Sequence, residues 1–463
     1  MASSLDAFDL IERLENVDFL SKNLTSRKHK VDLSITRQLT RLNTFLKDVV
    51  KFEDKHLSLP TVKLNKMSKL DDSPMELCQN MVLPPISAKV SSNSQNTAWP
   101  KPITFNQAVD LRKVLLGTPL PISKEWKNTG FVFYDESAPT PWGLQTSLCG
   151  ARGVVMCVQS WIIKNMFFKN KDLVSAAMDG KIVSLADHAR RLNRTKILME
   201  CLSEMIWRAG DKRSCKICIT GTKVHVRNTT YRGDGITEKI DIYKFDSYPE
   251  LLKFMSNNSR EWRGSGGVLL FVYSIIMTRG TKNILKDAGT PEDGKWVQLL
   301  TDWEEVTCAL INLLLTGKAA LYMHNGLKFY DNSGKTLDCP QQGIDERSDI
   351  GVLAYNDERR IEIGSMLKTP KYPIWIASAN RQIGVLFSLK PELMNHWRAE
   401  HFFDLHHYTG LLERSKNYSK LLVDTRLDRY DKTRQDRHDR RRRVPAIEEC
   451  ILTKWANAVI ETK

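Results

Sequence analysis

Residues 142–168 read WGLQTSLCGARGVVMCVQSWIIKNMFF. The stretch has two halves. Up to Gly153 it is broken by Gly143 and Gly150 among small and polar residues, as in a turn-rich loop. From Val154 the pattern changes. Val154, Val158, Trp161, Ile162, Met166 and Phe168 recur at helical spacing, which predicts a helix over 154–168 with a broad apolar face, entered from the loop at Gly153.

Outward from that segment, 105–116 has helical periodicity, stopped by Gly117 and Pro119. A long helix is expected over 185–209, where Leu192, Leu198, Leu202 and Ile206 are spaced for burial, and another over 303–315, ended by Gly317. Residues 216–220 and 223–228 are short β-rich runs, and 373–379 and 383–389 read as two strands joined by a short polar segment. Helices followed by strands without strict alternation define an α+β domain. Residues 1–100 read as a poorly ordered extension with one amphipathic helix over 33–52 and a Ser/Asn/Pro-rich linker up to Pro102, leaving 101–463 as the folded domain.

The chain has 463 residues, of which 41% are hydrophobic and 27% charged, ordinary values for a globular protein. The longest apolar run, 267–278, is too short to cross a bilayer, so no membrane partner is expected. The first fourteen residues carry acidic groups and lack the apolar core of a signal peptide. Nine irregularly spaced cysteines fit reduced thiols and an intracellular setting, cytoplasm or nucleus. Lys and Arg number 69 against 54 Asp and Glu, a net charge of +15. The excess is densest at 425–443, which holds Arg440, Arg441, Arg442 and Arg443. Because Asp428, Asp431, Asp436 and Asp439 interrupt it, the stretch reads as a solvated loop rather than a nucleic-acid patch.

Two segments carry a family resemblance. In 142–168, Gly143, Leu144, Gly150, Gly153, Val154, Val158 and Gln159 match without a gap the pattern of the MINDY deubiquitinases. That pattern is a Gly-Leu pair, a glutamine, a Gly-Gly-Pro-Cys-Gly motif and a helix containing Val-Gln. In 367–404, LKTPKYPIWIASANRQIGVLFSLKPELMNHWRAEHFFD resembles the family's longer members, where a Pro-Ile-Trp strand leads to a histidine and then Val-Leu-Phe-Ser. LLLTGKA at 313–319, RSDIG at 347–351 and VPAIEECILTKW at 444–455 extend the likeness to about 103–455. It is strongest toward the inactive B-type paralogue of the family's fourth member. The resemblance implies a papain-like, cysteine-peptidase-related fold and lysine-48-linked polyubiquitin as partner, with no cofactor and no metal.

A cysteine peptidase needs a thiolate, a base and oxyanion donors. Carried over from the family, the nucleophile position is Arg152, the histidine position is Gln382, and the oxyanion glutamine falls at Thr146 with Gln145 adjacent. Both core catalytic residues are replaced, which implies a pseudoenzyme. A guanidinium at 152 is instead suited to pairing a carboxylate. A relocated nucleophile at Cys149 is the alternative; Cys157 lies too far into the helix and reads as core. His396, His401, His406 and His407 lie past the strand and read as surface or core residues. Cys215 and Cys218 form a lone C-x-x-C, too little for zinc, expected to be one buried and one exposed thiol. Gly264, Gly266 and Gly267 mark a tight turn, not a P-loop. A third reading is a scaffold or nucleic-acid-binding protein acting through the arginine-rich stretch.

Overall fold

The computed structural model describes residues 99–147, 150–169, 184–229, 231–289, 297–330, 333–358, 361–412, 417–426 and 444–462. The expected helix over 33–52, Cys149 and the arginine-rich run 427–443 lie outside these. Strand β1 (Lys101–Pro102) is followed by helices α1 (Phe105–Leu116), α2 (Lys124–Asn128), α3 (Arg152–Phe167), α4 (Leu185–Arg191) and α5 (Arg194–Ala209). Strands β2 (Cys215–Thr220) and β3 (Ile240–Phe245) lead to α6 (Tyr248–Asn257), α7 (Ser259–Arg263), α8 (Gly267–Arg279), α9 (Thr281–Ala288) and α10 (Cys308–Thr316). The hairpin β4 (Leu327–Tyr330) and β5 (Thr336–Gln342) precedes β6 (Gly351–Tyr355), α11 (Ser365–Lys368), β7 (Ile374–Ala379) and β8 (Gln382–Phe387). The last elements are β9 (Phe402–Tyr408), β10 (Tyr418–Asp424), α12 (Ala446–Leu452) and β11 (Val459–Thr462).

The main sheet has the order β11-β10-β9-β8-β7-β6, with β6 and β7 parallel and the other neighbours antiparallel. A three-stranded sheet, β1-β3-β2, lies elsewhere. This is an α+β architecture, as the unalternating pattern implied. Alternation along the main sheet produces two cores. Ile374, Ile376, Val385, Phe387 and Tyr408 pack with α3 and its neighbours. Trp375, Ala377, Leu386, Phe403 and Leu405 face the opposite way and pack with Cys450, Ile451 and Trp455 of the α12 region.

α3 is buried along its entire length, including both ends. Its apolar residues cover more than one face, which is the composition of a central helix rather than a surface one. α8 is the other such helix, buried from Gly267 to Met277, and no single described helix is long and apolar enough to cross a membrane. It starts after Gly266, at φ +78°, the turn foreseen in the glycine cluster.

Several elements depart from the sequence reading. The helix expected over 185–209 is two, because Leu192 is extended and Asn193 starts a new helix by accepting the Lys196 N–H. The helix expected from Trp303 begins only at Cys308, where Thr307 caps it through the Leu310 N–H. Residues 301–306 instead form a tight turn with Glu304 at φ +57°. Residues 223–228 form no strand; His225 N–H reaches only the Glu238 carbonyl, at 2.8 Å. The end of the expected linker, Lys101–Pro102, joins the small sheet beside β3. Cys215 and Cys218 are both buried, contrary to expectation, and α8 closes the edge of β2 beside them: Cys218 N–H bonds the Ser274 hydroxyl at 2.9 Å.

Candidate functional site

The segment 142–147 is fastened to α3 well ahead of the helix start. Gln159, nearly two helical turns into α3 and fully buried, accepts the Leu144 N–H at 2.6 Å and donates to the Trp142 carbonyl at 3.3 Å. Tyr408 at the end of β9 donates its hydroxyl to the Leu144 carbonyl at 2.8 Å. Trp142 is wedged among Phe167, Phe387, Tyr408 and Tyr418, with ring centroids 4.7–6.2 Å away. Gly143 is required here: a Cβ on it would stand 2.0 Å from the Tyr408 hydroxyl oxygen.

The turn 301–306 closes over the other end of the loop. A Cβ on Gly150 would meet the Glu304 carbonyl at 2.0 Å, and one on Gly153 would meet Val306 Cγ2 at 2.2 Å. Trp126 Nε1 donates to that same Glu304 carbonyl at 3.2 Å.

Arg152 opens α3, and only 6% of it is exposed. One terminal guanidinium nitrogen donates to the Thr409 carbonyl just beyond β9, at 3.2 Å. A cation at this end of a helix opposes the macrodipole by about 0.3–1 kcal/mol. Ala151 precedes it in helical conformation and offers no side-chain cap.

Gln382 is the first residue of β8, immediately after the two-residue hairpin Asn380–Arg381, whose φ angles are +47° and +68°. It is exposed. Val385 pairs with Tyr408, so the start of β8 and the end of β9 lie at the same end of the sheet, where Thr409 meets Arg152. Arg152 and Gln382 therefore share a region of the fold, one buried and one open to solvent.

Thr146 is buried, and its N–H bonds the Gly410 carbonyl at 2.7 Å. Gln145 turns elsewhere, its amide donating to the Phe133 carbonyl at 3.1 Å. Cys157 is fully buried in α3 and its thiol is pushed up to about 12 by burial, an inert core residue as expected.

The histidines divide. His396 is exposed and His401 half-buried, while His406 is buried, with Nδ1 2.7 Å from the Tyr418 hydroxyl and its ring stacked on Phe387. His407 lies between the surface and core positions the sequence reading allowed. It stands half-buried near Arg152, and a Cβ on Gly384 would lie 2.9 Å from its Nε2. Burial, and then the charge of Arg152, hold its pKa down at about 4. The register pairs it with Leu386, whose side chain faces the α12 core, so the charge of Arg152 reaches it across the end of the sheet.

Around this region several apolar side chains are exposed. Val132 is 44% exposed and its carbonyl accepts the Gln145 N–H. Leu412 is 62% exposed and follows Leu411, which bridges Thr146. Trp303 is 74% exposed and precedes Glu304. Among the described residues no group of three or more His, Cys, Asp or Glu is arranged to hold a metal.

Comparison with known proteins gives one consistent answer. The family profile described as "Deubiquitinating enzyme MINDY-3/4, conserved domain" matches residues 112–463. The chain is 30% identical over 366 residues to the "Probable ubiquitin carboxyl-terminal hydrolase MINDY-4" of Xenopus tropicalis, covering 78% of this chain and 46% of that protein. The Homo sapiens protein of the same description is 28% identical over 402 residues, covering 85% of this chain and 49% of the relative. The "Ubiquitin carboxyl-terminal hydrolase MINDY-3" of Xenopus tropicalis is 34% identical over 152 residues, 33% of this chain and 32% of that one. The chain thus spans about half the length of the MINDY-4 relatives it matches. No solved structure matches it. The loop-to-helix segment and the β7–β8 hairpin both lie inside the matched range, and the chain belongs to the MINDY-3/4 family of deubiquitinating enzymes.

Proposed function

We propose that this chain is an inactive ubiquitin carboxyl-terminal hydrolase, a B-type pseudoenzyme with a papain-like ancestry, that retains binding to lysine-48-linked polyubiquitin. The observation that carries the reading is Arg152. It occupies the position where the family's nucleophile opens the helix, buried and bonded to the Thr409 carbonyl. A guanidinium stays protonated and cannot attack a carbonyl. Gln382 has no basic lone pair to offer in place of the histidine, and Thr146 and Gln145 both spend a donor within the fold. Loss of a nucleophile alone costs about a millionfold in turnover in a well-studied serine peptidase.

Retained binding is assigned to the exposed rim of Val132, Trp303 and Leu412 rather than to the guanidinium, which is 6% exposed and held by the chain's own backbone. The test is a titration with lysine-48-linked tetraubiquitin, with monoubiquitin and lysine-63-linked chains as references. Selective binding that weakens on Trp303→Ala supports the reading; no binding to any chain ends it.

A second reading, a weakly active hydrolase using Cys149, draws on His407, a neutral imidazole near position 152. It requires labelling by a ubiquitin-derived electrophile that disappears in Cys149→Ala. Unlabelled wild-type protein removes it.

A further inference from the structure

The loop 397–402 and the strand end at 424–426 form a surface that the ubiquitin reading does not use. Trp397 is 67% exposed and Phe402 45% exposed. Each ring carries a guanidinium. Arg398 Cζ lies 5.3 Å from the Trp397 ring centroid, and Arg426 Cζ lies 5.2 Å from that of Phe402. His401 meets the Trp397 ring edge-on at 5.1 Å.

The two halves are held together by backbone. Phe402 pairs with Asp424 across β9 and β10, the Thr425 N–H bonds the His401 carbonyl at 3.0 Å, and its hydroxyl bonds the Glu400 carbonyl at 2.9 Å. The carboxylates of the patch are already paired. Asp424 takes Arg426 at 2.7 Å, and Glu400 takes Lys454 at 3.6 Å and the Trp455 indole at 3.1 Å. Burial lowers the pKa of Lys454, and the charges of Lys368 and Arg347 add to that against the pull of Glu400.

The surface therefore presents two aromatic rings to solvent with a guanidinium beside each, that of Arg426 also paired with Asp424. We propose that it binds single-stranded nucleic acid, the rings stacking on bases and the guanidinium groups meeting phosphates. An acidic peptide would use the cations but leave both rings unpaired, and a duplex would keep its base faces covered. The sequence offers nucleic acid the arginine-rich stretch; this surface consists of other residues, brought together by the β9–β10 register.

The test uses the full chain and a fluorescent oligouridylate of about 16 nucleotides, the upper site size for one small binding module. A duplex of equal length and polyglutamate serve as references, and binding is followed by anisotropy. Single-stranded RNA is expected to bind more tightly than either reference. Trp397→Ala and Phe402→Ala should each weaken it roughly tenfold, with Trp397→Phe retaining most of the affinity. Arg398→Glu should flatten the dependence on salt. All these side chains are exposed, so their replacement leaves the cores intact. Three results overturn the proposal. One is no RNA binding. Another is polyglutamate bound as tightly as RNA, the mark of an acidic-peptide surface. The third is RNA binding that survives both ring substitutions but is lost when Arg440, Arg441, Arg442 and Arg443 become serine.

Discussion

Gln159→Leu isolates the device that holds the loop to α3. The substitution keeps an apolar side chain of similar bulk in a fully buried site and removes two hydrogen bonds, from Leu144 N–H at 2.6 Å and to the Trp142 carbonyl at 3.3 Å. Each buried backbone group left unpaired costs about 1–3 kcal/mol. The shorter contact belongs at the upper end and the longer at the lower, which gives a loss of about 3–4 kcal/mol. Urea unfolding at neutral pH, followed by tryptophan fluorescence, measures it. Tyr408→Phe supplies the control, since it removes only the hydroxyl donated to the Leu144 carbonyl at 2.8 Å. Both side chains hold the same residue, so the double mutant should show a coupling of about 0.5–3 kcal/mol. A Gln159→Leu loss under about 1 kcal/mol, or additivity within about 0.5 kcal/mol, refutes the claim that Leu144 is a shared pivot.

Gly143→Ala should destabilise by about 2 kcal/mol or more, because its Cβ would stand 2.0 Å from the Tyr408 hydroxyl oxygen in a packed aromatic cluster; an unchanged melting temperature contradicts this. Lys164→Met should cost about 3 kcal/mol, since Lys164 is 3% exposed and holds Glu204 and Asp349, each at 3.0 Å, while Asp349 keeps Arg208 at 2.9 Å. Burial alone would raise the Asp349 pKa, but Lys164 and Arg208 bring it to about 2; the variant should therefore unfold at higher pH on the acid side than wild type. His406 and His407 are both held near 4, chiefly by burial, below the ordinary 6.5. The unfolded chain binds more protons between those values, so their contribution is complete above about 6.5 and lost as pH falls toward 4, a few kcal/mol in all. A urea midpoint unchanged between pH 7.5 and 4.5 would sink that account.

What the sequence made legible was local. α1 and the β7–β8 hairpin fall where periodicity put them, with Gly117 at φ +73° and Gly317 at φ +85° closing α1 and α10 as foreseen. α3 was found within two residues at either end. The failures have physical causes. The break at Leu192–Asn193 follows from a cap that competes with helical spacing apolar on both sides. The turn at 301–306 depends on packing against Gly150 and Gly153, far away in sequence, and the β-rich run 223–228 forms no ladder, its His225 and Val226 N–H groups both going to the Glu238 carbonyl. The same holds for the site. Motif spacing singled out Arg152 and Gln382, but only the folded chain shows that the Thr409 carbonyl comes to the start of α3.

α3 is apolar around most of its circumference, and one side of it packs on β7 and β8. Ile374 lies 207 positions after Phe167. At synthesis rates of about 5–20 residues per second, that side waits roughly 10–40 s on the ribosome before its partner strands exist. Nascent chains interrupted between these two segments should therefore be chaperone clients and aggregate on release, whereas chains extended past Phe387 should acquire protease resistance in a single late step.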